Sequence, residues 1–428
     1  MNLDRPLKPY EYQKTVIRKL AKMPVAILAA EMGTGKTLMS LVAMEANRLD
    51  SVLVACPAVA VSHWIREHKR LGLKTPIHVV SFDKARQPKT LQELRLGHQG
   101  VIIDEAHYLK SPDTKRTKAI YGNRCDGEGG LVEGCKRVYA LSGTICPNNV
   151  SELYPHLRLM VPDEISSFSA FTQHFCSGYQ TDWGFRVTGA RNVEQLKGIL
   201  RKVFIALRAR DVLPDLPAIS FNVSPVDPLD ARDALLELKE IETLPEVEAM
   251  VASLEEAAQV KEVAVSEHIA TLRRLIGAAK TPAAAQYILD IVEGSQEKVV
   301  VFCYHKFVIQ QLFHLLAKKT KVVRIDGSTS PKQRDQALDQ FRRTSDYRVF
   351  IGQIHACGTG ITLTESNHVV FVEQDWTPAA NLQASKRCHR IGQDKPVFVH
   401  NLMLNNSIDE RISAALSAKS QHLLEIGL

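Results

Sequence analysis

Residues 25–37 read VAILAAEMGTGKT, and that stretch decides the fold. Its first six residues form an unbroken apolar run, which reads as a buried strand. Two glycines follow, Gly33 and Gly35, and the chain after Lys36 and Thr37 returns to helical spacing. Strand, glycine turn and helix start together form the arrangement in which backbone N–H groups converge on a phosphate, at a helix end whose dipole favours an anion. Met32, Gly33, Thr34 and Gly35 would line that loop. Lys36 would reach the outer phosphates, and the Thr37 hydroxyl would ligate Mg2+. Ala30 stands where the general pattern has its first glycine, so the reading rests on the strand before and the helix after. The bland alternative is a glycine-rich turn that binds nothing.

The next apolar run that bears on this choice is VIIDEAH at 101–107. Asp104 and Glu105 fall at its end, and in parallel sheets ligands bind where strands end. A lone Asp-Glu pair there is ordinarily a solvated strand terminus. After a phosphate loop it reads as the other half of a nucleotide site, with Asp104 on the metal and Glu105 orienting the attacking water. ATP and Mg2+ are the cofactors this pattern calls for.

Further out, short apolar runs alternate with helical patterns in two separate stretches. The first holds 25–28, 51–55, 77–80, 101–103 and 137–141; the second holds 298–302, 321–325, 347–351, 368–372 and 397–400. Val/Ile-rich runs of this length, separated by amphipathic stretches, predict parallel sheets covered by helices on both faces. The fold class is therefore α/β, with two doubly wound lobes. Residues 211–228 carry four prolines and read as a linker. Residues 229–280 are rich in Ala, Leu and Glu and read as a helical insertion, acidic between Glu237 and Glu262 and hence a poor phosphate binder. The expected division is 1–225, 226–284, 285–405 and 406–428, the last a helix packing back across the lobes. Gly122 to Gly134 reads as an exposed loop.

Composition narrows the classes. Among 428 residues, 54 Lys and Arg face 47 Asp and Glu, a net charge of +7 that leans toward a polyanionic partner. No apolar run is long enough for a bilayer, and the first residues lack a basic region followed by an apolar one. The eight cysteines include no C-x-x-C pair, which argues against a disulfide framework and for a reducing, cytoplasmic setting.

At Asp104-Glu105-Ala106-His107 the chain resembles the superfamily 2 helicase-like ATPases, and motifs in order from residue 7 to about 415 narrow this to the Swi/Snf-type. LKPYEYQ at 7–13 is similar to the family's adenine-reading motif, with Gln13 on the base. ACP at 55–57 through Trp64 resembles a motif lying along DNA. LSGT at 141–144, with Ser142, Gly143 and Thr144, resembles the motif coupling the two lobes. In the second half, DGST at 326–329, ACGTGITLT at 356–364 and QASKRCHRIGQ at 383–393 complete the set. The stretches 175–179, 207–213 and 268–277 resemble the HepA-related annealing-helicase branch.

The resemblance implies two RecA-like lobes with the helical insertion between them. It implies nucleotide contacts from Gly358, Gly360 and Gln383, and arginine fingers at Arg387 and Arg390, one turn apart on an expected helix. It also implies a partner, DNA with the double strand favoured, touched by Pro57, Trp64, Ser81, Lys110, His305, Ser328, Thr359 and Trp376. Trp64 and Trp376 could equally be core aromatics. Ala209, Thr377 and Lys386 depart from the family's pattern without removing a catalytic group. Since the motifs consume the chain, a prokaryotic or viral monomeric motor is the expectation. The rival readings are a strand-separating DNA or RNA helicase, the motor subunit of a defence or restriction system, and a scaffold that binds without hydrolysis.

Overall fold

The structure, a computed structural model, describes residues 9–143, 145–146, 149–181, 184–213, 215–229, 232–256, 267–295, 297–357, 361–376 and 378–416. The chain forms two compact units, dividing between residues 214 and 215.

In the first unit, strands β1 (Val25–Ala30), β2 (Val52–Cys56), β3 (Ile77–Ser81), β4 (Gly100–Ile103), β5 (Arg137–Ser142) and β8 (Phe204–Leu207) make one parallel sheet in the order β3-β2-β4-β5-β1-β8. Alternate residues feed two cores. Ile27, Leu53, Val101 and Val138 pack on one face, while Ala26, Val52, Ile102 and Tyr139 pack on the other. Burial on both faces explains why these strands are continuous apolar runs with no polar alternation. Helices α1 (Glu11–Lys22), α2 (Lys36–Ala46) and α3 (Val61–Leu71) cover the second of those faces.

Strands β6 (Cys176–Thr181) and β7 (Gly184–Ala190) form an antiparallel hairpin apart from that sheet. The sequence reading has no strand there, because glycine and polar residues break the apolar pattern.

The segment expected as an exposed loop, Gly122 to Gly134, is instead folded onto the core. Cys125, Leu131 and Val132 are buried in the same cluster as β4. The segment lies so close to the preceding helix that a Cβ on Gly130 would collide with the Ile120 carbonyl. The glycines here permit close backbone packing rather than solvent exposure.

The second unit has its own parallel sheet, β9 (Ile219–Val226), β10 (Val299–Cys303), β11 (Lys321–Ile325), β12 (Tyr347–Gln353), β13 (His368–Phe371) and β14 (Val397–Leu404), in the order β11-β12-β10-β13-β14-β9. Again two cores flank it, one with Val299, Val301 and Ile351, the other with Val300, Phe302 and Phe350.

Two corrections to the expected division follow. First, β9 lies in the stretch read as linker and assigned to the first lobe up to 225, yet it pairs along its whole length with β14. It is an edge strand, which is where Pro225 can be tolerated. Second, the helix Glu267–Ser295 runs unbroken from the expected insertion into the expected second lobe, with Pro282 inside it. Its Ala284, Ile288 and Val292 belong to the sheet's own core.

The helices Arg232–Glu242 and Pro245–Glu256 pack with the first half of that long helix. Helical residues 409–416 join them inside this unit: Ile408, Ile412 and Leu416 cluster with Leu272, Leu275 and Ile276. A buried ion pair, Lys280 Nζ to Asp409 Oδ2 at 3.0 Å, ties this last segment to the long helix. No described helix is long and apolar enough to cross a membrane.

Candidate nucleotide site and nucleic-acid contacts

The order of the first sheet puts β4 and β1 on either side of β5, so three adjacent strand ends carry the loop after Ala30, the Asp104-Glu105 pair and Ser142. The loop has the backbone a phosphate cradle requires. Gly33 and Gly35 have φ of 84° and 91°, and α2 begins directly at Lys36. Gln13 is buried against it, donating from Nε2 to the Thr34 carbonyl at 3.0 Å and accepting from the Tyr10 N–H at 2.9 Å. A Cβ at Gly35 would collide with that Nε2, so glycine is needed there for space as well as for φ. Tyr12 donates its hydroxyl to the same Thr34 carbonyl at 2.8 Å. The sequence reading missed Tyr12, since nothing in a residue's type reveals a contact to a distant carbonyl. Lys36 donates to the Ala30 carbonyl at 2.6 Å, folded back over the strand end; Met32 and Thr37 are half-buried beside it.

Asp104 directly follows β4 and is half-buried. It accepts from Trp64 Nε1 at 2.8 Å and from the Glu105 backbone N–H at 3.0 Å. Burial first, and the Glu105 charge second, push its carboxyl up to about 6, against the pull of the Trp64 bond and the Lys36 charge. Glu105 sits at φ 50°, a left-handed conformation that costs a non-glycine residue energy. His107 Nδ1 lies 3.1 Å from Ser142 Oγ and 3.4 Å from Glu105 Oε2. Burial holds its pKa down at about 4, so the imidazole is neutral at physiological pH, and its one Nδ1 faces both the hydroxyl and the carboxylate. Lys110 pairs with the buried Glu152 at 3.2 Å, linking this rim to the segment beyond Ser142 and Gly143. Thr144 lies outside the described residues.

The residues present fit a magnesium ion. Mg2+ binds through one or two carboxylates plus phosphate oxygens and water, so a protein cage is unnecessary. Asp104 and the Thr37 hydroxyl would hold it. No cluster of three acidic, His or Cys ligands occurs among the described residues.

The expected nucleic-acid contacts divide. Trp64 is corrected: its side chain is fully buried, and its indole serves Asp104. On an amphipathic helix its spacing alone could not distinguish a core face from a binding face. Ser81 caps the short helix after β3, accepting from the Lys84 N–H at 3.3 Å, and is largely buried. Pro57 and Lys110 are half-buried.

In the second unit His305 and Ser328 follow β10 and β11, Trp376 lies half-buried past β13, and Gly358, Thr359 and Gly360 lie outside the described residues. Gln383 is half-buried on the helix Pro378–Ser385. Arg387 and Arg390 are corrected in their setting. The helix stops at Ser385, and Arg387 and Cys388 N–H groups bond three residues back, so the two arginines are carried on tightened turns. Arg387 is buried. Arg390 Nη1 donates to the Ile361 carbonyl at 3.1 Å and to Thr362 Oγ1 at 3.0 Å.

Against known families, residues 70–234 match the SNF2-related domain and residues 282–392 match the Helicase conserved C-terminal domain. The SWI/SNF-related matrix-associated actin-dependent regulator of chromatin subfamily A-like protein 1 of Drosophila melanogaster is 29% identical over 99% of this chain and 56% of its own length. The human DNA annealing helicase and endonuclease ZRANB3 is 30% identical over 75% of this chain and 29% of its own length. The chain thus spans about half or less of the curated relatives it matches. The Sulfolobus solfataricus SWI2/SNF2 ATPase core in complex with dsDNA aligns over 99% of this chain and 95% of that one, at 21% identity and a TM-score of 0.41; an overlap of that size adds nothing to the topology above.

Proposed function

We propose that this chain, which matches the SNF2-related domain over residues 70–234 and the Helicase conserved C-terminal domain over 282–392, is a DNA-dependent ATPase whose hydrolysis drives translocation along double-stranded DNA, remodelling or reannealing it or displacing bound protein. The observation that carries this reading is the meeting of Lys36, Asp104, Glu105 and Ser142 at three adjacent strand ends.

When ATP arrives, Lys36 leaves the Ala30 carbonyl for the phosphates, and the loop N–H groups take the rest of their charge. Mg2+, when bound, would neutralise charge between the outer phosphates. Glu105 accepts a hydrogen bond from the attacking water and orients it. Neutral His107 faces both Glu105 and Ser142 with its one Nδ1, so a change at the carboxylate is felt in the coupling motif. Arg387 and Arg390 keep, in this proposal, the arginine-finger role that the resemblance implies. The grip is on the sugar-phosphate backbone, which makes it sequence-tolerant and salt-sensitive. The protein acts on DNA inside the cell.

The test is steady-state ATP hydrolysis without nucleic acid and with duplex DNA, single-stranded DNA or single-stranded RNA, with Lys36→Ala as blank. Strong stimulation by duplex, lost in the variant, is the expected result. The hairpin β6–β7, with Tyr179 half exposed, favours a second reading, since such a hairpin can split a duplex. Greater stimulation by a single strand would favour that reading. A wild type no faster than the blank under every condition would sink both.

A further inference from the structure

Around the C-terminal ends of the second sheet lies a knot of side chains that the nucleotide chemistry does not use. Glu373 stands two residues past β13 and is 4% exposed. Its Oε2 accepts the backbone N–H groups of Tyr304 at 3.0 Å and His305 at 2.9 Å, and its Oε1 pairs with His305 Nδ1 at 2.6 Å. Above Tyr304 lies the guanidinium of Arg273, 3.4 Å from the ring centroid. That guanidinium also faces Trp376 at 4.9 Å and donates from Nη2 to the Gln374 carbonyl at 2.8 Å. Arg273 and Gly277 are one turn apart on the helix Glu267–Ser295, and a Cβ on Gly277 would collide with Glu373 Oε1. Gln353 extends the network, donating to the Tyr304 carbonyl at 3.0 Å and accepting from the Gly327 N–H at 2.9 Å. The turn that carries Ser328 is therefore tied in.

His305, Ser328 and Trp376 are thus the outer members of one network whose inner members are Glu373, Arg273, Tyr304 and Gln353. A helix could be fastened to this sheet by apolar contacts alone, and replacing buried charges with apolar packing is often neutral or stabilising. Here the fastening uses a buried acid and an arginine whose Nε is buried without a hydrogen-bond partner among the described residues. An orphaned donor is a cost that a plain staple need not carry. What the polar arrangement adds is direction: the pairing to Glu373 orients the imidazole, and the Arg273 plane faces the indole of Trp376, which also packs against the apolar cluster of Leu272, Leu275 and Ile276.

We propose that Glu373 and Arg273 are positioning residues for the nucleic-acid grip, Glu373 fixing His305 and Arg273 fixing Trp376 so that both meet the sugar-phosphate backbone pre-oriented. The helix Glu267–Ser295 is then the brace of that surface. This inference rests on the translocase reading and adds to it residues that touch neither ATP nor DNA.

The experiment titrates ATP hydrolysis with duplex DNA of one length at one salt concentration, alongside melting temperatures, for wild type, Arg273→Lys, Glu373→Gln, Gly277→Ala and His305→Ala. Arg273→Lys keeps the charge and loses the stacked plane. It should raise the DNA concentration for half-maximal stimulation about tenfold, the size of one lost good contact, with a plateau rate within about twofold. Gly277→Ala removes no functional group and favours the helix, yet pushes Glu373 aside; it should reproduce the Glu373→Gln shift. The pair Glu373→Gln with His305→Ala should be no worse than His305→Ala alone. Arg273→Lys and Gly277→Ala titrating like wild type would overturn the inference, as would losses that simply follow the melting temperature. A wild type that duplex does not stimulate would overturn the translocase reading and this inference with it. A stimulated wild type with unaffected variants would overturn this inference alone.

Discussion

Each sheet carries a carboxylate just beyond the end of an inner strand, half-buried Asp104 after β4 and buried Glu373 after β13, and the two are held in opposite ways. Asp104 faces a second acid, Glu105, and receives one indole N–H and one backbone N–H. Glu373 receives two backbone N–H groups, pairs with a histidine, and lies near the Arg273 charge. An anion pressed against another anion is poised for a cation from outside; an anion matched within its own unit orders the backbone around it. On the two proposals above, the same side-chain chemistry at the same kind of place would serve as a ligand in one unit and a brace in the other.

The largest effects should therefore fall on the first unit's rim. Lys36→Ala or Glu105→Gln is expected to cut DNA-stimulated hydrolysis by about 10²–10⁴-fold, the scale of a lost acid–base or charge-stabilising group. Glu373→Gln should leave far more. If Glu105→Gln held its rate and Glu373→Gln lost it, the contrast would be inverted, and steady-state rates at saturating DNA decide it.

A middle-sized effect sharpens the contrast. Trp64→Phe keeps the ring in the core and deletes the N–H that Asp104 accepts. Since that bond favours the ionised form, its loss should raise the Asp104 pKa above its present value of about 6. A proton on Asp104 competes with the metal, so kcat/KM for ATP should decline as pH falls through about 6 in wild type. In the variant the decline should begin at higher pH, with a loss of about tenfold near pH 6.5, the size of one hydrogen bond to a charged group. A pH–rate profile with the same acid limb in both proteins would show that the indole only fills space.

Much of this was legible in the sequence because it is written in local order. The glycine loop, the Asp104-Glu105 pair and the ten apolar runs each lie within a few consecutive residues, and buried parallel strands leave runs that cannot be mistaken for solvated ones. What escaped lies between segments. Nothing near Trp64 says that it faces Asp104, forty residues away, and nothing near Gly277 says that Glu373 fills its missing side chain. β9 lies in a stretch whose prolines read as a linker, because proline breaks most strands, yet Pro225 is harmless on an edge. The spacing of Arg387 and Arg390 suits a helix; the change to bonds three residues back is a backbone event with no side-chain signature.

The smallest expected effect concerns stability. A carboxyl whose pKa is raised from 3.8 to about 6 by folding binds its proton more tightly in the folded chain. Its ionised form therefore opposes folding: the cost is fully present above about pH 6 and disappears as pH falls below the unfolded value. Asp104→Asn removes that cost while keeping an acceptor for the Trp64 indole. It should abolish most hydrolysis yet raise Tm at pH 8 by a few degrees, on the order of 1–3 kcal/mol, with the advantage gone near pH 4. Glu373→Gln, which breaks a matched set, should lower Tm or leave it unchanged. Thermal melts of the two variants at both pH values, without nucleotide, make the comparison directly. An Asn variant no more stable than wild type at pH 8 would mean that Asp104 is as well matched by its own unit as Glu373, and that the first carboxylate is not held in waiting for a cation.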